Sequence, residues 1–163
     1  MTTKPQGLDH SGAHGAEPTG SVVMFTDITE EALEPLANAA KAQVMTEAMG
    51  ALVVFDGIVR NHDHGSAVRG LSYSAHPQAK EYIARVVQSV ADELGGGVRL
   101  WAVHRVGPIA IGESALTVLA AAAHRGRAFE ACEAVADRVK AQVPIWKEQE
   151  LTDGSTEWVG IDT

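Results

Sequence analysis

The sequence has a single cysteine, Cys132, among its 163 residues. One thiol excludes an intramolecular disulfide framework and fits a reducing compartment. No apolar run approaches the ~18 residues of a membrane span, and the start of the chain lacks the charged-then-apolar order of a secretory signal. These absences predict a soluble, cytoplasmic protein that does not enter a membrane.

Positive charge is also scarce, with 13 Lys and Arg against 21 Asp and Glu and a net charge of −8. An acidic chain lacks the basic face that phosphate neutralisation requires, so we expect no nucleic-acid partner. A local cluster of cations is typical of a site for a small anionic ligand, and equally of a solvated helix face with i, i+3 ion pairs. Five of the 13 cations form such a cluster: Arg125, Arg127, Arg138, Lys140 and Lys147.

The motifs of several common site classes are missing. The glycine run at 95–97 follows a predicted helix instead of opening one, so it lacks the strand–loop–helix context of a dinucleotide site. No serine nucleophile elbow is present, and Cys132 falls on the apolar stripe of a predicted helix, where we expect a buried structural thiol. His62 and His64 flank Asp63 in a pattern that zinc uses, but no third ligand of suitable spacing follows. We expect neither a metal nor a cofactor, so any chemistry rests on Lys, Arg and His.

The periodicity of apolar residues predicts one domain at 21–163, preceded by a disordered tail at 1–20. Between His124 and Pro144 these residues recur with helical spacing, and proline ends the helix because it cannot continue one. The order β-α-β-β-α-β-β-α-β-β indicates an α+β fold, a mostly antiparallel sheet with helices packed on one face in a two-layer, hammerhead-like sandwich. The predicted helices cover 30–44, 77–94 and 124–143, and the predicted strands cover 21–26, 50–61, 68–75, 98–106, 115–122, 146–150 and 157–159.

Three segments carry motifs in a fixed order. The first two are GALVVFDGIVR at 50–60 and HRVG at 104–107, and the third runs from HRGRAF at 124–129 to KAQVPIWK at 140–147. Together they resemble the large, catalytic subunit of molybdopterin synthase, over about residues 21–160. The order of the segments and the spacing of the two lysines in the third make this resemblance specific.

The resemblance implies an enzyme of molybdenum cofactor biosynthesis, a sulfurtransferase. In that family a small sulfur-carrier protein delivers sulfur as the thiocarboxylate of its C-terminal Gly-Gly tail. Two such transfers convert cyclic pyranopterin monophosphate into the dithiolene molybdopterin. The implied assembly is a homodimer of this chain within a heterotetramer that includes the carrier.

The resemblance also implies roles for individual residues. It places the family's catalytic lysine on Lys140 and its second essential lysine on Lys147, both in contact with substrate. Its anion-binding arginine falls on Arg60. The other implied substrate-binding positions are Ile58, Val59, His124, Arg125, Glu148 and Gln149.

Two of these positions, His124 and Lys140, occupy opposite ends of one predicted helix. A rise of ~1.5 Å per residue separates them by ~24 Å, more than the ~10 Å length of a pterin monophosphate. One copy of the helix therefore cannot offer both ends to one substrate. We predict a site shared by two copies of the chain, in which the pair His124 and Arg125 of one copy meets the lysines of the other.

Two other functions fit the same residues. A non-catalytic dimeric binding module for a small anionic ligand would use the cations without requiring both lysines to be amines. A Schiff-base lyase would use Lys140 as a nucleophile on a carbonyl substrate. Tolerance of a Lys→Arg exchange would indicate the binding module, and trapping by borohydride would indicate the lyase.

Overall fold

The structure, a computed structural model, describes residues 20–160, so the predicted disordered tail lies outside the described residues except for Gly20. No helix in this part of the chain is long and apolar enough to cross a bilayer. The helices are α1 (Leu33–Val44), α2 (Ala79–Leu94) and α3 (Arg125–Gln142). The strands are β1 (Val22–Thr29), β2 (Ala51–Ile58), β3 (His62–Asp63), β4 (Ser66–Ala75), β5 (Val98–Arg105), β6 (Gly107–Ile109), β7 (Ser114–Ala122), β8 (Ile145–Leu151) and β9 (Thr156–Val159).

The first of two sheets has four strands in the order β1-β5-β7-β2. Strands β1 and β5 run parallel, and the other neighbours are antiparallel. The register pairs Val22 with Arg99 and Ala51 with Ala122. The chain approaches itself closely at one end of this sheet, where a Cβ on Gly50 would lie 2.9 Å from the carbonyl oxygen of Ala123. Glycine is therefore the residue that fits where the chain enters β2.

The helices cover both faces of this first sheet. Successive side chains of a strand point to opposite faces, and β5 and β7 are apolar on both. Helix α1 packs on the face that carries Trp101, Val103 and Leu119, whereas α2 and α3 pack on the face that carries Leu100 and Val118. Every position of β7 is buried as a result.

The second sheet has five strands and is antiparallel, with the order β3-β4-β8-β9 and with β6 paired to β4. The chain enters it directly from α3, because that helix ends at Gln142 and β8 begins at Ile145, on either side of Pro144. The predicted hairpin of β8 and β9 is present. The two short strands β3 and β6 were not predicted, since segments of two or three residues show no periodicity.

The predicted α+β class and the mostly antiparallel pairing are confirmed. The structure differs in the placement of the helices, because α1 lies on the opposite face of the first sheet from α2 and α3. Periodicity identifies which side of a helix is buried, but it does not show which face of a sheet that side covers. Both faces need cover here, because uncovered Leu119 or Leu100 would expose apolar surface to water.

Candidate active site

A cavity of about 340 Å³ lies where the second sheet meets the ends of β2, β5 and α3. Its volume is within the ~300–1,000 Å³ typical of small-molecule sites. The wall combines apolar positions such as Val143 and Ile145 with many polar groups. The polar and charged lining residues are Arg60, His62, Asp63, His64, Tyr73, His104, Lys140, Lys147 and Gln149.

A buried carboxylate, Asp63 on β3, joins several of these groups. Its Oδ2 accepts hydrogen bonds from Lys147 Nζ at 3.0 Å and from Gln149 Nε2 at 2.9 Å. Its Oδ1 lies 3.4 Å from Arg60 and 3.6 Å from His64 Nε2. Side chains from β8, from the segment after β2 and from the turn after β3 therefore converge on one acidic residue.

The partners of Asp63 keep it ionised. Burial alone would raise its pKa, but the hydrogen bonds from Lys147 and Gln149, with the charges of Lys147 and His64, lower the pKa to about 2. A carboxylate with that pKa is ionised at neutral pH. The side chain of Lys147, which is 21% exposed, is thereby anchored to the cavity wall.

Lys140 is in a different situation at the end of α3. It is exposed and lines the same cavity, next to the buried Val139. In residues 20–160, no hydrogen bond or ion pair engages its Nζ. The break at Pro144 turns the chain so that Lys140 on the helix and Lys147 on the strand face one space.

A buried histidine also faces this space. His104, near the end of β5, packs edge-on against the ring of Tyr73 with 4.9 Å between ring centroids. The pKa of His104 is lowered to about 4, mainly by burial and to a smaller extent by the charge of Lys140. The hydrogen bond to the Arg105 carbonyl acts in the opposite direction and raises the pKa. Its Nδ1 lies 2.7 Å from that carbonyl oxygen, so Nδ1 carries the proton and Nε2 is left as an acceptor.

The structure gathers six of the predicted site residues around the cavity. The chain leaves β2 with Ile58 exposed and Val59 buried, which directs Arg60 to the rim. The burial of Val59 is fixed by backbone hydrogen bonds of 2.9 Å to the Glu113 carbonyl and 2.7 Å from the Gly112 amide. The six that line the cavity are Ile58, Val59, Arg60, Lys140, Lys147 and Gln149.

Three predicted site residues lie elsewhere. Glu148 is on the opposite face of β8 from Lys147 and Gln149, because neighbouring residues of a strand point to opposite faces, and it borders a separate depression. His124 and Arg125 are exposed at the start of α3, the far end from Lys140. Within one copy of the chain these three cannot contact a ligand in the cavity.

Asp63, His104 and Tyr73 were not predicted as site residues. A sequence signal existed for His104, a single histidine in an apolar strand that belongs to the motif HRVG. Asp63 stands in a polar loop with no periodicity, so its position inside the protein had no signal. In the described part of the chain, no three His, Cys, Asp or Glu side chains are arranged to hold a metal ion.

Comparison with known proteins identifies the family to which this chain belongs. The sequence model of the MoaE protein family matches residues 28–142. The molybdopterin synthase catalytic subunit 1 of Mycobacterium tuberculosis is 33% identical over 151 residues, which cover 91% of this chain and 95% of that protein. The molybdopterin synthase catalytic subunit of Thermoplasma volcanium is 31% identical over 140 residues, covering 82% of this chain and 96% of that protein.

Solved structures agree with the sequences. The crystal structure of molybdopterin synthase from Staphylococcus aureus matches with a TM-score of 0.72 at 28% identity, covering 89% of this chain and 98% of that chain. A chain from the complex of subunits 1 and 2 of the molybdopterin-converting factor of Helicobacter pylori matches with a TM-score of 0.65 at 26% identity, covering 83% of this chain and 88% of that chain. The protein therefore belongs to the MoaE family, the catalytic subunits of molybdopterin synthase.

Proposed function

We propose that this chain transfers sulfur from the thiocarboxylated C-terminus of a small sulfur-carrier protein to cyclic pyranopterin monophosphate, forming the dithiolene of molybdopterin. The observation that carries the proposal is the convergence of two lysines on one cavity, Lys140 from a helix end and Lys147 from a strand. Arg60 at the rim adds a third cation in a chain of net charge −8. This concentration of positive charge suits an anionic substrate.

The cations match the chemistry of both reactants. A cyclic phosphate and a thiocarboxylate are anions, and an arginine offers parallel donors to two oxygens of a phosphate. The Arg60 side chain is 65% exposed and so has freedom to turn from Asp63 toward a ligand. Apolar wall positions, among them Val139 and Val143, provide a surface for the pterin rings.

The two lysines serve different parts of the reaction. Each transfer replaces a carbon–oxygen bond of the substrate by a carbon–sulfur bond, and the substrate oxygen leaves in protonated form. Water then cleaves the bond between the carrier's acyl carbon and the sulfur, which leaves the carrier as a carboxylate. Protons must therefore be moved at the substrate. Lys140 is the proposed acid and base, because it lacks a partner in the described structure and faces the neutral His104. Lys147, anchored to Asp63, supplies fixed positive charge.

The proposed partner is a carrier with an extended Gly-Gly tail that enters the cavity beside Lys140. The Helicobacter pylori relative was solved as a complex of its two subunits. The proposed assembly is a heterotetramer, a homodimer of this chain with one carrier on each copy. Its proposed place is the cytoplasm, which suits the reducing conditions that the single thiol indicates.

Reconstitution tests the proposal directly. The protein is mixed with a thiocarboxylated carrier and cyclic pyranopterin monophosphate, and the dithiolene product is assayed. We expect product with the intact carrier and none with a carrier that lacks its last two glycines, even where the globular surfaces still associate. Equal turnover by the truncated carrier would refute the inserted tail, and absence of product from both would refute the proposed reaction.

A further inference from the structure

Asp63 contacts several of the polar side chains that line the cavity, beyond the contacts of its own loop. It is 7% exposed although it belongs to a strand of two residues. One of its oxygens, Oδ2, receives both the ammonium of Lys147 at 3.0 Å and the amide of Gln149 at 2.9 Å. Those donors are two residues apart on β8 and share its cavity face.

Burying a carboxylate is costly unless it is paired and hydrogen-bonded. Both conditions are met here, which is why the pKa of Asp63 falls to about 2 despite its burial. The second oxygen remains within 3.4 Å of Arg60, so two cations of the cavity share one counter-charge.

The two lysines are therefore unequal. Lys147 has a bonded carboxylate and a side chain that is 21% exposed. Lys140 is exposed and has no such partner within residues 20–160. His104 lines the same cavity as Lys140, whose charge helps to lower the pKa of this histidine, so His104 is uncharged at neutral pH and accepts at Nε2.

We propose that Asp63 is a positioning residue that clamps the ammonium group of Lys147 to the cavity wall and so leaves proton transfer to Lys140. This inference rests on the proposed sulfur transfer and assigns a division of labour within it. Gln149 completes the clamp by occupying the same carboxylate oxygen from the adjacent cavity-facing position of β8. Asp63 acts through Lys147 and does not itself react.

The clamp predicts a measurable difference in amine reactivity. Only an uncharged amine is acylated, so an ammonium held by a carboxylate is protected. Limited acetic anhydride labelling, read by mass spectrometry, should modify Lys140 faster than Lys147 in the wild-type protein. Asp63→Asn preserves the shape of the side chain but removes its charge, and it should raise the labelling rate of Lys147 without changing that of Lys140.

Exchanging the carboxylate and the amide between positions 63 and 149 tests whether a carboxylate at the other position can protect Lys147. In the double variant Asp63→Asn, Gln149→Glu, a carboxylate returns beside Lys147 from position 149, two residues further along the same strand, β8. We expect it to restore slow labelling of Lys147 and part of the turnover that Asp63→Asn loses, a loss on the order of 10-fold in kcat for a directly bonded pair. Asp92→Asn, at an exposed position on α2 where the side chain accepts a hydrogen bond from Gln88, is the matched control and should change neither quantity.

The labelling result is independent of turnover, so it separates this inference from the proposed reaction. Wild-type protein without product but with protected Lys147 would refute the reaction and retain the clamp. Unchanged labelling of Lys147 in a folded Asp63→Asn variant would overturn the clamp whatever the turnover. If Asp63→Asn does not fold, the double variant Asp63→Asn, Gln149→Glu decides. Slow labelling of Lys147 in that variant supports the clamp, and rapid labelling of Lys147 in the folded double variant overturns it.

Discussion

The two sheets of this protein use their strands in opposite ways. In the first sheet, β7 is buried at every position and helices cover both faces. In the second sheet, β4 and β8 bury only some of their side chains, and β8 carries Lys147 and Gln149 on the face toward the cavity. The first sheet is held by apolar packing, whereas the second is arranged around the contacts of one carboxylate, Asp63.

This difference separates stability from chemistry within one small chain. Packing energy depends on volume and burial, so a similar apolar residue can replace another at modest cost. Hydrogen-bonded charges depend on atom identity and distance, so Lys147 and Asp63 have no close substitutes. Changes in the first sheet should therefore alter the free energy of unfolding, and changes in the second should alter turnover.

The largest expected effect is at Lys140. Its replacement by Ala should lower the rate by ~10²–10⁴, the usual contribution of a positioned acid and base. Lys140→Arg should recover little, because arginine keeps its proton at working pH. Single-turnover formation of product measures both. Near-normal turnover by the arginine variant would show a purely electrostatic role and favour a binding function for the cavity.

A second expected effect concerns the far end of α3. If His124 and Arg125 serve the cavity of a second copy, inactive Arg125→Ala and inactive Lys140→Ala chains should complement each other when mixed. Random exchange gives heterodimers in half of the molecules, each with one intact site, so activity should reach about a quarter of wild type. The measurement is turnover after subunit exchange, confirmed by mass spectrometry. Persistent inactivity after exchange would place each site within one chain.

The third expected effect is on stability, from a substitution in the core of the first sheet. Leu119 is fully buried against α1, and Leu119→Ala should lower the free energy of unfolding by ~2–5 kcal/mol through lost burial and a residual cavity. Activity per folded molecule should stay near wild type. Denaturant unfolding and active-site titration measure the two quantities. Leu151→Ala, at a partly exposed position of β8, is the control and should cost less stability.

Acid should lower the stability of the protein in two steps, through two buried groups at the cavity, and this is the smallest of the four effects. The pKa of His104 is about 4 in the folded protein, below its usual 6.5, so the unfolded chain binds a proton first and stability falls as the pH drops from 6.5 to 4. The pKa of Asp63 is about 2, so its contribution, about 2 kcal/mol, is complete above pH 3.8 and is lost toward pH 2.

Variants separate the two steps in urea unfolding curves measured at several pH values. His104→Gln should flatten the dependence between pH 6.5 and 4 and leave the lower step in place. Asp63→Asn should flatten only the lower step. A wild-type curve without slope between pH 6.5 and 4 would contradict the burial of a neutral imidazole beside Tyr73.

Much of this arrangement could be predicted from local patterns. Pro144 marked the turn from α3 to β8, and the resemblance to the catalytic subunit of molybdopterin synthase assigned Lys140 and Lys147, on either side of it, to one site. The class of the fold followed from the order of elements. These features depend on residues close together in the sequence, where periodicity and proline geometry act directly.

The features that could not be predicted depend on long-range packing. Nothing local distinguishes the face of the sheet that α1 covers. Asp63 gains its role from β8, more than eighty positions along the chain. Glu148 and Gln149 were grouped because they are adjacent, yet alternation along a strand sends them to opposite faces. The catalytic and substrate-binding roles of all the predicted site residues, Glu148, His124 and Arg125 included, stay predictions.

The pairing of the first sheet also determines when the chain can fold. Strand β1 pairs with β5, and β2 pairs with β7, so the first two strands have no partner in the N-terminal half. During synthesis the sheet cannot close until Ala122 has left the ribosome, because that residue pairs with Ala51. Such distant pairings slow folding, since loops must close before the contacts form. The nascent N-terminal half consequently spends its synthesis with unpaired strand edges, the state in which chaperones bind and aggregation begins.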